Sequence, residues 1–87
     1  GTSDQTLNGL SLYPNPTQGV FNITTNEVLN ALDVQISNTL GQVVYTQKDL
    51  AMDSRTASID VSGLGSGVYF VSLSADGLTT VKKLVIR

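Results

Sequence analysis

The sequence predicts an all-β domain, built as a sandwich of about seven antiparallel strands. Short runs of β-branched and aromatic residues recur along its 87 residues, and glycine, proline, asparagine or aspartate separates each run from the next. Several runs alternate apolar with polar residues, which is the period-2 pattern of a half-buried strand. No heptad pattern and no internal repeat is sustained, so coiled coils and repeat proteins are excluded.

The first three predicted strands are separated by turn-forming residues. Residues 10–13 end at the Pro-Asn-Pro segment at 14–16, because proline lacks an amide donor and favours extended or turn backbone. Residues 19–24 form the second strand, and Asn26 helps to end it. Residues 32–37 form the third, in which leucine, valine and isoleucine share one face and polar residues share the other.

The next two strands lie on either side of a polar stretch. A turn at 38–42 precedes the fourth strand, since Gly41 can adopt the positive φ that other residues resist. The fourth strand covers residues 43–48, and residues 49–55 are too polar for a core and are predicted to be a surface loop. Residues 56–61 alternate again and form the fifth strand.

The sixth strand, residues 68–73, is the most apolar run of the chain. Its lack of polar alternation predicts burial on both faces or a central position in a sheet. An Asp-Gly pair at 76–77 predicts a tight hairpin before the seventh strand, residues 78–86. The apolar positions of this last strand change parity, so a bulge or twist is predicted near residues 82–83.

Composition excludes several classes of function. The chain has no histidine, cysteine or tryptophan, which removes disulfides, imidazole or thiolate metal sites and any histidine- or cysteine-based nucleophile. Five basic and seven acidic residues give a net charge of −2, so no electrostatic surface for nucleic acid is expected. No apolar run is long enough for a transmembrane segment. We therefore predict a protein that is not an enzyme and needs no cofactor or metal.

The polar surface suits an exported module. Only 14% of the residues are charged, well below the usual share, and serine and threonine together supply 19 of the 87 residues. The first residues have no initiator methionine, positively charged region or apolar run, so no signal peptide is expected there and the chain is expected to be part of a longer protein. Residues 1–9 are predicted to be a linker or cloning remnant, and residues 10–87 the domain.

The aspartate pairs, a glycosylation sequon and a possible helical turn are weaker signals, and none of them is taken to indicate a function. Asp49 with Asp53, or Asp53 with Asp60, could form a glycosidase-like carboxylate pair, and Asp49 and Asp53 with nearby carbonyls could bind Ca²⁺. Solvated loop acids are the favoured interpretation. A glycosylation sequon at 22–24 is taken as a chance match. One helical turn at 27–33 is the competitor to strand in that region, and it is too short to be favoured.

The aromatic residues suggest an alternative function. Tyr13, Phe21, Tyr45, Tyr69 and Phe70 could together form a platform on which sugars stack, as in carbohydrate-binding sandwiches. Core filling is the stronger interpretation, because several of the five lie in the most apolar strands. A carbohydrate-binding or adhesive β-sandwich nevertheless stays open as the alternative.

Positive charge is concentrated in the last strand. Lys82, Lys83 and Arg87 are three of the five basic residues. Lysines often occupy the edge of a sheet because they oppose aggregation, and composition alone favours that interpretation. The functional alternative is a terminal address that another protein recognises.

Four short motifs occur in a specific order and spacing along the chain. They are Tyr13, Pro14, Asn15 and Pro16 with Gly19 and Phe21; Asn38, Gly41, Gln42 and Val43; residues 59–64 with Gly67, Val68, Tyr69 and Phe70; and residues 82–86. Together they resemble the type A C-terminal sorting domain of type IX secretion, over about residues 10–87. The small departures are an arginine rather than a lysine at the last position and the leucine before Gly41.

The resemblance implies a fold and a route. Members of this family are Ig-like antiparallel β-sandwiches of about seven strands, and they direct a folded upstream cargo domain across the outer membrane. The implied partners are the type IX translocon with its shuttle proteins and a sortase-like cysteine peptidase that, in many members, removes the domain and attaches the cargo to the surface. The implied localisation is the periplasm in transit, then the outer-membrane surface or the extracellular space.

The resemblance also divides the residues into two groups. The residues expected to bind the translocon are Lys82, Lys83, Leu84, Val85, Ile86 and Arg87. The residues expected to shape the backbone are Tyr13, Pro14, Asn15, Pro16, Gly41, Gly63, Gly67 and Tyr69. Processing, where it occurs, is expected within residues 1–9, because a protease needs unfolded backbone.

Overall fold

The computed structural model describes residues 9–26, 31–51, 55–75 and 77–87, and all regular structure in these ranges is β-strand. Seven strands occur, which confirms the predicted all-β sandwich. Their bounds are β1 Ser11–Tyr13, β2 Val20–Thr24, β3 Ala31–Asn38, β4 Val43–Ala51, β5 Thr56–Asp60, β6 Gly67–Ala75 and β7 Leu78–Ile86. No helix in the described ranges is long and apolar enough to cross a membrane.

The strands form two antiparallel sheets. One has three strands in the order β1-β2-β5, and the other has four in the order β4-β3-β6-β7. This two-layer arrangement fits the Ig-like fold that the resemblance implies. The larger sheet therefore has β4 and β7 at its edges and β3 and β6 at its centre.

The core lies between the sheets, where the alternation of each strand places its apolar side chains. In β3, every second residue is buried, and the residues between them are exposed or half-buried. Burial of these apolar side chains is the main favourable term for so small a domain. The fully buried large side chains come from both sheets and include Phe21, Ile23, Leu32, Ile36, Ile59, Leu73 and Leu84.

The connection from β3 to β4 is fixed by Asn38. Its side-chain Oδ1 accepts hydrogen bonds from the N–H groups of Leu40 and Gln42, at 2.9 and 3.0 Å. Its Nδ2 donates to Gln42 Oε1 at 2.9 Å. Gly41 lies in this turn with a φ of +84°, where a side chain is disfavoured. The predicted turn is thus confirmed.

The predicted loop after residue 48 begins too early. β4 continues to Ala51, with Leu50 paired opposite Leu32 and packed against the core. A register shift precedes this pair, and Asp49 within it has a φ of +55°. The bulge adds a residue between Gln47 and Leu50. The apolar and polar residues therefore do not alternate there, and the sequence pattern does not indicate that the strand continues.

The sixth strand is central in its sheet, which is one of the two predicted alternatives. The other alternative, burial on both faces, is not observed. Val68 and Phe70 are 37% and 41% exposed on the outer face, whereas Val71 and Leu73 are buried on the inner face. The physical reason is that a two-layer sandwich covers only one face of each sheet.

Of the bulge or twist predicted near residues 82–83 of β7, the bulge is wrong. Pairing between β6 and β7 runs from Gly67 opposite Ile86 to Ala75 opposite Leu78 without a register shift. The parity change in the sequence arises because Val81 points outward and is 60% exposed. At the hairpin, Gly77 has a positive φ, and its predicted partner at position 76 lies outside the described residues.

Of the competing helical turn at 27–33, the part that the structure describes is strand, since β3 begins at Ala31. Residues 27–30 lie outside the described ranges.

Candidate functional site

Five of the six residues predicted to bind a partner lie on β7 and Arg87 directly follows it. The structure divides the six by exposure. Leu84 and Ile86 are buried in the core, at 0% and 4% exposure. Lys83 and Arg87 are exposed, and Lys82 and Val85 are half-buried. A partner of the folded domain can therefore contact the side chains of four of the six, while Leu84 and Ile86 anchor the strand.

The Pro-Asn-Pro segment lies along the free edge of β7 and pairs with it. Asn15 Nδ2 donates to the carbonyl of Lys83 at 2.8 Å, and Asn15 Oδ1 accepts from the N–H of Val85 at 3.0 Å. Beyond it, the N–H of Thr17 donates to the Val85 carbonyl at 2.9 Å, and the N–H of Arg87 donates to the Thr17 carbonyl at 2.8 Å. The edge of β7 is thus already occupied from the Lys83 carbonyl to Arg87.

The local sequence explains how this segment can lie there. Pro14 and Pro16 have no amide donors, so the Asn15 side chain supplies hydrogen bonds that the backbone cannot. Both Tyr13-Pro14 and Asn15-Pro16 peptide bonds are cis. The carbonyl of Tyr13 accepts from Asn22 Nδ2 at 3.3 Å, which ties the segment to β2.

Thr17 is a structural residue that sequence analysis did not select. It is 1% exposed, and its hydroxyl donates to the carbonyl of Val20 at 2.5 Å and accepts from the N–H of Gly19 at 3.3 Å. The carbonyl of Gly19 in turn accepts from Val61. The sequence signal that could have found it is a threonine two residues before a glycine. At this spacing the threonine hydroxyl can accept a hydrogen bond from the glycine N–H.

The glycine-rich stretch before β6 is held by an aromatic hydroxyl. Tyr69 Oη donates to the carbonyl of Gly65 at 2.7 Å. Gly67 has a φ of +155°, whereas Gly63 has no positive φ and open space where a side chain would project. Neither backbone nor packing requires a glycine at position 63 of this structure.

The acidic residues do not assemble a reactive centre in the described part of the chain. Asp60 accepts from the N–H of Ser62 at 2.8 Å, and hydrogen bonds from the side chain and backbone of Ser62 hold the pKa of Asp60 below its ordinary value. Asp49 donates its N–H to Asp33 Oδ1, and Asp53 lies outside the described residues. No three acidic side chains among those described are grouped as metal ligands.

The five aromatic residues do not share a surface. Phe21 is buried, and Tyr45 and Tyr69 pack against the core. Tyr13 lies on the three-stranded sheet, and Phe70 on the outer face of the other sheet. The predicted core-filling role is confirmed for three of them, and no sugar-stacking platform forms.

Comparisons with known proteins identify the family of the chain. Residues 11–87 match the family described as the secretion system C-terminal sorting domain. The chain is also similar to ulvan lyase NLR42 of Nonlabens ulvanivorans, with 34% identity over 84 residues. This alignment covers 95% of the chain and 15% of the lyase. The chain therefore spans a small fraction of the length of that relative.

Proposed function

Because the chain belongs to the family of secretion-system C-terminal sorting domains, we propose that the secretion system binds it through the exposed side of β7. The domain is a type IX secretion signal, on a protein that goes to the cell surface or the extracellular space. What we propose is which residues carry the signal. They are the accessible members of the predicted set, Lys82, Lys83, Val85 and Arg87.

The motifs differ in whether their polar side chains are bonded within the domain, and this difference supports the assignment. Hydrogen bonds within the domain are formed by the side chains of Asn15, Asn38 and Tyr69. Lys83 and Arg87 instead direct exposed cationic side chains to the solvent. Charged side chains on an exposed strand are suited to selecting a partner and steering its approach. The observation that carries the proposal is that the last motif is the one with accessible positive charge, whereas the exposed charge of the third motif is the carboxylate of Asp60.

The other partners follow from the family. We propose an upstream cargo domain that crosses the periplasm with this module, shuttle proteins that accompany it, and a sortase-like cysteine peptidase that removes it. Residues 1–9 are the proposed linker and processing region, ahead of a domain at 10–87. The peptidase would supply the chemistry, so the sorting domain itself is proposed to be non-catalytic.

The test is the export of a reporter fused ahead of the chain in a bacterium with a type IX system. Lys82→Gln/Lys83→Gln removes two charges from β7. Lys48→Gln/Arg55→Gln is the matched control, because it removes the same charge from exposed positions elsewhere. We expect export to fall at least tenfold for the β7 pair and to stay near the wild-type level for the control.

Both variants must first show the wild-type unfolding temperature, so that export reports recognition rather than folding. Equal export from the two double variants would overturn the proposal.

A further inference from the structure

The end of β7 that bonds to Asn15 and Thr17 shows which backbone groups of this strand point away from β6. Along the regular β6–β7 ladder, successive β7 residues direct their N–H and C=O groups alternately toward β6 and away from it. Val85 directs both groups away from β6, because they bond to Asn15 and Thr17. Every second residue before Val85 therefore also directs its backbone groups outward.

The remaining part of the edge is open. By this parity, the N–H and C=O of Thr79 and Val81, together with the N–H of Lys83, point away from β6. Within the described ranges none of these backbone groups has a hydrogen-bond partner. We call residues 79–83 the open edge. It is bounded by the hairpin at Gly77 and by the Lys83 carbonyl that Asn15 occupies.

The opposite edge of the same sheet differs. β4 has two register shifts in its pairing with β3, and Asp49 within it has a positive φ. Bulges of this kind bend an edge strand and discourage further pairing. The open edge has no such irregularity, since its pairing with β6 is continuous.

Side chains beside the open edge define the partner that would suit it. Val81 is 60% exposed, and Lys83 lies opposite Phe70, which is exposed on the same outer face. An apolar residue opposite Val81 and an acidic residue opposite Lys83 would complement both. An antiparallel second copy centred on Val81 would place Thr79, and not an acidic residue, opposite Lys83, so it would leave that charge without a complement.

We propose that the open edge is a strand-addition site for an extended segment of a partner protein that places an acidic residue two positions from an apolar one. The added segment would extend the four-stranded sheet by bonding to the free groups of Thr79, Val81 and Lys83. The inference rests on the proposed function, because it identifies how the secretion system would bind β7.

A peptide titration tests the site directly. The probe is Thr-Val-Thr-Asp-Thr, and its control is Thr-Val-Thr-Lys-Thr. We expect saturable shifts in the amide resonances of Thr79, Val81 and Lys83, with affinity for the acidic peptide about tenfold higher. The absence of saturable shifts, or shifts centred on β4, would overturn the proposal.

A backbone substitution separates strand pairing from side-chain contact. Val81→Pro removes an outward N–H and leaves the ladder to β6 intact, because that N–H is not part of the ladder. Val81→Thr keeps the N–H and the β-branched shape. Loss of one hydrogen bond should weaken the acidic peptide about tenfold in Val81→Pro, and Val81→Thr should bind as the wild type does. Equal binding by both variants would contradict strand addition.

Thr79→Pro removes the outward N–H of Thr79. It is the variant to test if Val81→Pro does not fold. Sedimentation equilibrium tests whether the open edge binds a second copy of the chain instead. A concentration-dependent dimer that protects the same amides, without peptide binding, would overturn the partner segment in favour of a second copy.

Reporter export separates failure of this inference from failure of the proposed function. We expect export to fall with Val81→Pro and to persist with Val81→Thr. Normal export of a folded Val81→Pro chain, alongside lost export of Lys82→Gln/Lys83→Gln, would overturn strand addition and leave the proposed function standing. Normal export of the lysine variant would overturn the proposed function whatever the peptide result.

Discussion

Asn15 shows how one side chain can hold a strand. Its amide group bonds to the carbonyl of Lys83 and the N–H of Val85, much as a neighbouring strand would. The sequence predicts a turn at this position from the two flanking prolines, because a turn depends on neighbouring residues alone. The partners of Asn15 lie 68 and 70 residues away, so no local pattern could indicate them.

Replacement of Asn15 should loosen the end of β7. Asn15→Ala deletes both hydrogen bonds, and each is worth about 0.5 to 1.5 kcal/mol, so we expect the free energy of unfolding to fall by about 1 to 3 kcal/mol. Gln18→Ala is the control, since Gln18 is exposed nearby and should change stability by less than about 0.5 kcal/mol. Urea denaturation measures both, and equal effects would contradict the role given to Asn15.

At the scale of the element, alternation predicted the strands well where the apolar residues of a strand all face the core. β3 and β5 bury every second residue, as their sequences indicate. The failures occur where tertiary context decides. The end of β4 contains a bulge, and the outward position of Val81 depends on the strand keeping its ladder with β6. Periodicity cannot distinguish an outward apolar residue from a bulge.

The exit from β5 is stabilised by a carboxylate, which makes it dependent on pH. Hydrogen bonds from Ser62 lower the pKa of Asp60, so the ionised form contributes stability above the unfolded-state pKa. That contribution is lost as the pH falls through the lower folded-state pKa. Ser62→Ala removes the side-chain bond, the larger cause, and should raise the pKa of Asp60 toward its ordinary value. Carboxyl NMR titration checks this, and an unchanged pKa would contradict it.

At the scale of the whole molecule, β7 belongs both to the core and to the candidate site. The basic cluster and the family motif indicated this strand from the sequence. They could not show that Leu84 and Ile86 are buried, because burial depends on how the two sheets meet. Deletion of residues 82–87 would therefore remove core packing together with the exposed charges. Point substitutions at the accessible positions, such as Lys82 and Lys83, are needed to separate stability from recognition.

The two faces of β7 should respond differently to truncation. Leu84→Ala removes a fully buried side chain and should cost about 2 to 5 kcal/mol, which is comparable to the whole stability of a small domain. Val81→Ala removes an exposed one and should cost less than about 1 kcal/mol. Thermal unfolding followed by circular dichroism compares them. Similar losses of stability would mean that β7 is not oriented as described.

The central claim is that the secretion system contacts the exposed side of β7. The most direct measurement is site-specific photocrosslinking during secretion, with a photoreactive amino acid at position 83 in one chain and at position 48 on β4 in another. We predict a crosslink to a component of the outer-membrane translocon from position 83 and none from position 48. Crosslinking to the translocon from position 48 alone, or equally from both positions, would contradict the claim.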